Sequence, residues 1–327
     1  MSGWTVTGLG WHDGVPRLAA TDWRREHARE LVGGMRIGWT VTGPRRCTGV
    51  RTGRQHRRCP YGELIPAEGR SSQCGTCQRL DPGLALARDQ ILDDGRTYRL
   101  YLAWFGPGLL KIGLTGEHRG TARLLDQAAP VFTFVGRGRL PAVRRAELTV
   151  AQAGLARERV RSEVKSAAWW GLAEIADRRR ELTDGRREVL RLLAGHEIDL
   201  LPDQPVTDHT ALFGLADGVP PAYRKITALS PGATLAGTLR PAIGGHLFLD
   251  PDGDPGPEPG PEPGPEPGPG PEPGAAAVPA GGGGPLLLDT RLLAGWGLAA
   301  GGVRRCAGLD LRSCVRPAGP DAQDALF

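Results

Sequence analysis

Four of the six cysteines in this chain fall in one stretch, spaced Cys47-x11-Cys59-x14-Cys74-x2-Cys77. Two residues between the last pair let both sulfurs reach one tetrahedral ion, and Gly75 eases the turn between them. The residues between the pairs are polar and rich in turn formers, so a bound ion would supply the core that the stretch lacks. The expected chemistry is a closed structural Zn2+ site on Cys47, Cys59, Cys74 and Cys77, with no open position for catalysis. His56 is the alternative to Cys59, since two ligands three residues apart compete for one position. A lone Cys-x2-Cys pair would also suit redox chemistry, but two further cysteines close upstream favour metal. Cys306 and Cys314 read as buried thiols, with pairing as the lesser alternative.

Around the cysteines stand Arg45, Arg46, Arg51, Arg54, Arg57, Arg58, Arg70 and Arg79, against Glu63 and Glu68. Such a surface suits phosphate oxygens. A solvated basic face is the plainer alternative.

The elements that must position these groups can be traced along the chain. Residues 1–46 read as an N-terminal β segment, with Met35–Gly43 alternating as a half-buried strand does until Pro44. Residues 47–96 form the four-cysteine module. At Tyr98 the pattern changes. YRLYLAWFG and PGLLKIGLTG are two apolar runs joined by a Gly-Pro-Gly turn, which predicts a β-hairpin. A short helix over Thr121–Ala129, a strand over Val131–Gly138 and a helix opened by Pro141 come next. Helix formers then dominate to about His196, broken near Gly154, Gly171 and Gly185. These elements predict an α+β domain over 97–200 with a helical extension.

Residues 201–327 return to strand and turn, as a β-rich C-terminal domain. Within it, 251–285 is a Pro/Glu/Gly segment followed by an Ala/Gly tract. It has no large apolar side chains, and proline lacks the amide donor of a ladder, so disorder with polyproline-II character is expected. Loop closure grows only logarithmically with length, so the segment can be an insertion between two paired strands. A linker between domains is the alternative.

The hairpin run YLAWFGPGLLKIGLTGEHRGTARLLDQAAPVFTF and the later RRAEL resemble the GIY-YIG nuclease superfamily. The resemblance sets Tyr101 at the first tyrosine, Lys111-Ile112-Gly113 at the second triplet, Arg119 or Arg123 at the helix arginine, and Glu147 at the metal-binding glutamate. It implies a phosphodiesterase site. Glu147 would hold Mg2+ or Mn2+, Arg123 would contact the scissile phosphate, Tyr101 would position water, and Lys111 would contact phosphate or lower the pKa of Tyr101. Lysine stands where the family's second tyrosine usually does, and the chain contains no asparagine for the polar residue often found late in the family's site. The CxxC, the LKIGLT strand and the RLLDQAA helix also resemble a bacterial family carrying a domain of unknown function. Its members join a zinc-ribbon-like module to such a hairpin and a β-rich tail.

Charge points the same way. The chain carries +5, but Asp252–Glu272 holds six acidic residues and no basic one; the remainder has 41 basic residues against 30 acidic, a balance of +11. A basic folded part suits a polyanion, DNA or RNA, although a codon bias toward arginine accounts equally well for the count. Arg157, Arg159, Arg161 and Lys165 extend a basic track toward Trp169-Trp170. Adjacent helical residues diverge by about 100°, so one tryptophan faces core and the other an interface, where stacking on a base is an option; core packing is the plainer role for both. No apolar run is long enough for a membrane helix, and the N-terminus lacks a signal-peptide pattern, which places the protein in the cytoplasm without membrane association. Three functions fit: a metal-dependent nuclease, a non-catalytic nucleic-acid-binding protein, and a protein-interaction module.

Overall fold

Alternation of apolar residues builds the N-terminal strands β1 (Trp4–His12), β2 (Val15–Thr21) and β4 (Arg36–Thr42), while the fully exposed β3 (Glu26–Glu30) makes a charged sheet edge. The structure, a computed structural model, describes residues 4–22, 25–52, 55–68, 71–88, 90, 93–252 and 284–317. The cysteine module has a short hairpin, β5 (Val50–Thr52) and β6 (Gln55–Arg57), then helices α1 (Gly75–Leu80) and α2 (Pro82–Ala87). The predicted hairpin is β7 (Thr97–Trp104) and β8 (Leu110–Gly116), and it leads to α3 (Ala122–Asp126), β9 (Val131–Arg139) and α4 (Leu140–Gln152). Helices α5 (Ser162–Ala168) and α6 (Ile175–Leu192) and the short strands β10 (Asp199–Leu200) and β11 (Thr207–Asp208) complete the middle of the chain. The C-terminal part contributes β12 (Ala222–Leu239), β13 (His246–Asp250), β14 (Leu286–Asp289), β15 (Gly297–Ala300) and β16 (Ala307–Val315).

These strands make a mixed, mostly antiparallel α+β architecture. One nine-stranded sheet runs β13-β14-β12-β4-β15-β1-β2-β3, with β16 also paired to β12. The N-terminal segment and the C-terminal β-rich part are therefore one sheet rather than two separate units: β4 pairs with β12 and β15, and β1 with β15. Pairing over such sequence distances leaves no local signal. The strands on either side of the Pro/Glu/Gly segment, β13 and β14, are antiparallel neighbours with Leu249 opposite Leu286, so the segment joins adjacent strands. Its expected disorder concerns residues that lie, but for its ends, outside the described ones.

The second sheet has the order β10-β9-β7-β8, with β11 also paired to β9, so it continues past the expected boundary at residue 200. Its central strand β7 is apolar on both faces, as a strand covered on both sides must be. Tyr98, Leu100, Leu102 and Trp104 face one core, shared with Val143, Ala146 and Val150 of α4 and Leu182 and Val189 of α6. Tyr101, Ala103 and Phe105 face the other, with Leu124, Phe132 and Phe134. Helix α3 stands between the two sheets: Leu124 enters this second core, and Leu125 the core of the large sheet.

Helix α6 crosses Gly185 without a break. A side chain there would come within 2.6 Å of Leu110 Cδ1, so the glycine allows close packing on the hairpin instead of ending the helix. From the same helix, Glu181 accepts from the Trp104 indole (2.6 Å) and from the Gly108 amide (2.8 Å), which fixes the hairpin turn. No helix among the described residues is long and apolar enough to cross a membrane.

Candidate metal centre and cationic site

The module's first two cysteines flank its hairpin, Cys47 just before β5 and Cys59 just after β6, while Cys74 and Cys77 bracket the start of α1. The turn into β5 is possible because Gly49 takes φ +81°, where a Cβ would lie 2.1 Å from the Arg57 carbonyl oxygen. The backbone then binds the parts together: the Cys47 amide donates to Glu63 O (2.7 Å) and that of Thr48 to Ser72 O (2.8 Å). Gln73 donates to Gly49 O and to Asp81, whose carboxylate also caps α2.

The result is four buried sulfurs within 4.8 Å of one another. Cys59 Sγ and Cys74 Sγ are 3.9 Å apart, close to the roughly 3.8 Å edge of a tetrahedron with metal–sulfur bonds of about 2.3 Å. The amides of Cys74 (3.2 Å) and Gly49 (3.4 Å) donate to Cys47 Sγ, the arrangement that stabilises a thiolate. Burial pushes the Cys47 and Cys77 thiols up, and the neighbouring sulfurs push Cys77 further. At Cys59 burial acts in the same direction, but the amides of Glu63 and Tyr61 together with the Cys47 and Cys74 sulfurs outweigh it and bring the thiol to about 7. Crowded, buried thiols resist ionising together unless a cation joins them, and the donor set can hold a metal ion.

His56 is not among the converging ligands. Its Nε2 bonds the Thr48 carbonyl, and its Nδ1 lies 3.4 Å from Glu26 of β3, docking the hairpin on the large sheet. Of the arginines around the module, Arg51 and Arg57 are exposed, whereas Arg54 and Arg70 lie outside the described residues. Arg45 has a different role. It is 2% exposed and donates to the carbonyls of Pro66, Ala67, Arg291 and Ala294, so it does not belong to a phosphate-contacting surface.

On the hairpin, Tyr101 and Lys111 meet. Tyr101 pairs with Gly113 across β7 and β8, and a Cβ on Gly113 would stand 2.3 Å from the Tyr101 hydroxyl and 2.7 Å from Lys111 Nζ. The glycine of the Lys-Ile-Gly triplet thus clears the space that both side chains share. Lys111 is 8% exposed, lies 5.3 Å over the Tyr101 ring and donates to Ile112 O (2.9 Å). The side-chain amide of Gln127, one helical turn after Arg123, donates to the Tyr101 hydroxyl (2.8 Å), and the backbone carbonyl of Gln127 accepts from Lys165 Nζ (3.0 Å). Arg123 is exposed, and its charge reaches Lys165. Arg119 is paired with Asp126 at 2.7 Å, and that carboxylate also feels the charge of Arg123.

Glu147 is not brought to this group. It lies on α4, whose buried residues pack on the Leu100 and Leu102 face of the sheet, whereas Tyr101 faces the other way. The alternation of a strand decides the matter: β7 residues of odd and even number take opposite faces.

Lys165 has its pKa lowered to about 7, first by burial and then by Lys111, Arg123 and Arg291. Its Nζ sits 4.1 Å over the Phe105 ring. Lys111, Lys165 and Arg123 form no ion pair among the described residues. The same holds for Arg157, Arg159 and Arg161, all exposed, on a segment whose Arg157 pairs in parallel with Lys111 along the free edge of β8. Two residues of the cluster, Gln127 and Arg291, are not singled out by any motif. The first was legible, being four residues beyond Arg123 on one helix; the second comes from a distant turn of the large sheet and left no local trace. Both tryptophans pack: Trp169 lies against His246 and Phe248, and Trp170 stacks on Tyr223 and donates to Pro220 O. Cys306 and Cys314 are both free and half-buried. No protein-family model matches the chain, and comparisons with curated proteins and solved structures return no match.

Proposed function

We propose that this is a nucleic-acid-binding protein of the cytoplasm, with a structural Zn2+ on Cys47, Cys59, Cys74 and Cys77 and a phosphate-gripping face on the hairpin sheet. The observation that carries the reading is the meeting of Tyr101, Lys111, Lys165 and Arg123 on one face, where Lys111 and Arg123 form no ion pair among the described residues. Cations without an ion-pair partner beside hydrogen-bonding groups suit phosphate oxygens, and the Arg157–Arg161 segment continues that charge along the strand edge. Zinc is the ion favoured by four thiolates in tetrahedral reach, and a reducing compartment keeps such thiols competent to bind it. The likeness to the GIY-YIG nucleases extends to the hairpin with Tyr101 and Lys111 side by side. It weakens at Glu147, on the far face, so binding is favoured over Mg2+- or Mn2+-dependent cleavage.

The test is binding of mixed-sequence DNA and RNA as a function of salt, in EDTA and in Mg2+ or Mn2+. Lys111→Ala and Arg123→Ala should each weaken binding by about 1–3 kcal/mol and each reduce the salt slope by about one. Glu147→Ala should leave affinity unchanged. Absence of binding at low salt would overturn the reading and leave a protein-interaction module. Cleavage lost in Glu147→Ala would restore the nuclease.

A further inference from the structure

The amine of Lys165 is built for more than charge. Its Nζ donates to the backbone carbonyl of Gln127, the residue whose side-chain amide donates to the Tyr101 hydroxyl. Phe105 covers it from the end of β7, Lys111 faces it from β8, Arg123 from α3 and Arg291 from the turn after β14. Asp289 engages Arg291 directly, and the charge of Arg123 acts on Asp126 as well as on Nζ. Glu163, on the same helix, acts on Arg291. Burial and the surrounding cations form an environment that favours a free amine, against one carbonyl acceptor and an aromatic ring. The ring alone would favour the charged form, but burial and the cations outweigh it, and the pKa falls to about 7.

We infer that Lys165 is an amine nucleophile that forms an imine with the aldehyde of a phosphate-bearing sugar, the substrate class being a nucleotide of a nucleic acid that has lost its base. The amine attacks the carbonyl carbon, and a nitrogen–carbon bond forms as the carbon–oxygen double bond opens to a carbinolamine. The two hydrogens of the neutral amine leave with the carbonyl oxygen as one water. No oxidant or reductant takes part. Lys111 and Arg123 supply the charge that holds the adjacent phosphate, and the Tyr101 hydroxyl, fixed by Gln127, is the proton donor offered to the departing oxygen. The carbonyl chemistry stands on this cluster alone; its assignment to nucleic acid rests on the function proposed above.

The chain has only three lysines, Lys111, Lys165 and Lys225, so labelling maps without ambiguity. The intact protein is treated with pyridoxal 5′-phosphate and cyanoborohydride across pH 5.5–9, and the modified lysine is located by peptide mass spectrometry. At pH 7 a lysine with its ordinary pKa near 10.4 carries on the order of a thousandfold less neutral amine than one near 7. Even after allowance for lower intrinsic nucleophilicity, Lys165 should label at least ten times faster than Lys111 or Lys225, with a pH midpoint near 7. Pyridoxal, which lacks the phosphate, should label it more slowly. An oligonucleotide with one abasic site should be trapped covalently by borohydride. Lys165→Arg should lose both products, Lys225→Arg neither, with metal content and Tm confirming that both variants fold.

Even labelling of the three lysines, or a midpoint near 10 in the wild type, overturns the proposal without recourse to a variant. An oligonucleotide that binds and is not trapped, beside rapid labelling by the small aldehyde, overturns the nucleic-acid substrate. One that does not bind at all, beside the same labelling, overturns the proposed function and leaves Lys165 as a site for a free phosphorylated aldehyde.

Discussion

Removing the ion from the four-cysteine module is the change whose size the structure bounds best. Apart from the thiol side chains, the module's apolar core is Val50 with Ile65 packed against it. Fully burying two aliphatic side chains of this size contributes roughly 3–6 kcal/mol. A structural zinc on thiolates contributes about 10–16 kcal/mol. An ion bound by the four thiolates, more than apolar contact, would therefore hold the module together, and chelation should unfold it while the second sheet survives. Hydrogen exchange read by mass spectrometry, with and without chelator, is the assay. Amides of Cys47, Thr48 and Cys74 should drop to the exchange of an exposed peptide, while those of β7 and β9, in a core of Leu100, Leu102, Trp104 and Val135, keep most of their protection. Elemental analysis should find about one zinc per chain, lost in Cys74→Ser. Native-like protection in a chain shown to be metal-free would mean that the ion does not hold the module.

Gly49→Ala should destabilise the module by more than the roughly 1–2 kcal/mol of left-handed strain, because its Cβ meets backbone at Arg57 and lies 2.7 Å from the Cys59 nitrogen; metal content and Tm report it. With Lys165 held near 7, the folded chain binds fewer protons than the unfolded chain from there up to the ordinary lysine range, so this group makes stability rise as pH climbs from about 7 toward 10. Lys165→Met should flatten that rise and increase Tm at pH 6–7, read as a difference from wild type. Replacing residues 254–282 with a short Gly/Ser turn should leave Tm unchanged or slightly higher, since each halving of loop length gains only about 0.6 kcal/mol; a large fall would show that the segment packs.

Much of the site was legible because its signals are local. The cysteine spacing, the Gly-Pro-Gly turn between two apolar runs and Pro141 at a helix start each depend on a few neighbouring residues. What escaped depends on distance or on facing. That β4 pairs with β12, nearly two hundred residues away, leaves no mark on either strand. Glu147 sits on a helix in the expected place, but which face of β7 that helix covers depends on which residues of a doubly apolar strand it meets. Gly185 carries an ordinary helix-breaking signature, and only the closeness of Leu110 explains why it stays in the helix.

The buried guanidinium of Arg45 gives the chain a communication line. Its hydrogen bonds end on Pro66 and Ala67 inside the metal module, and on Arg291 and Ala294 in the turn whose arginine faces Lys165. Opening of the module would remove two of the four carbonyls that hold that guanidinium, so an ion bound by the thiols would be coupled to the turn beside the proposed anion site. Such coupling is reciprocal: an anion that tightens the turn strengthens the hold on the ion by the same factor. Two unrelated chemical inputs, redox state and phosphate, would then be heard through one side chain.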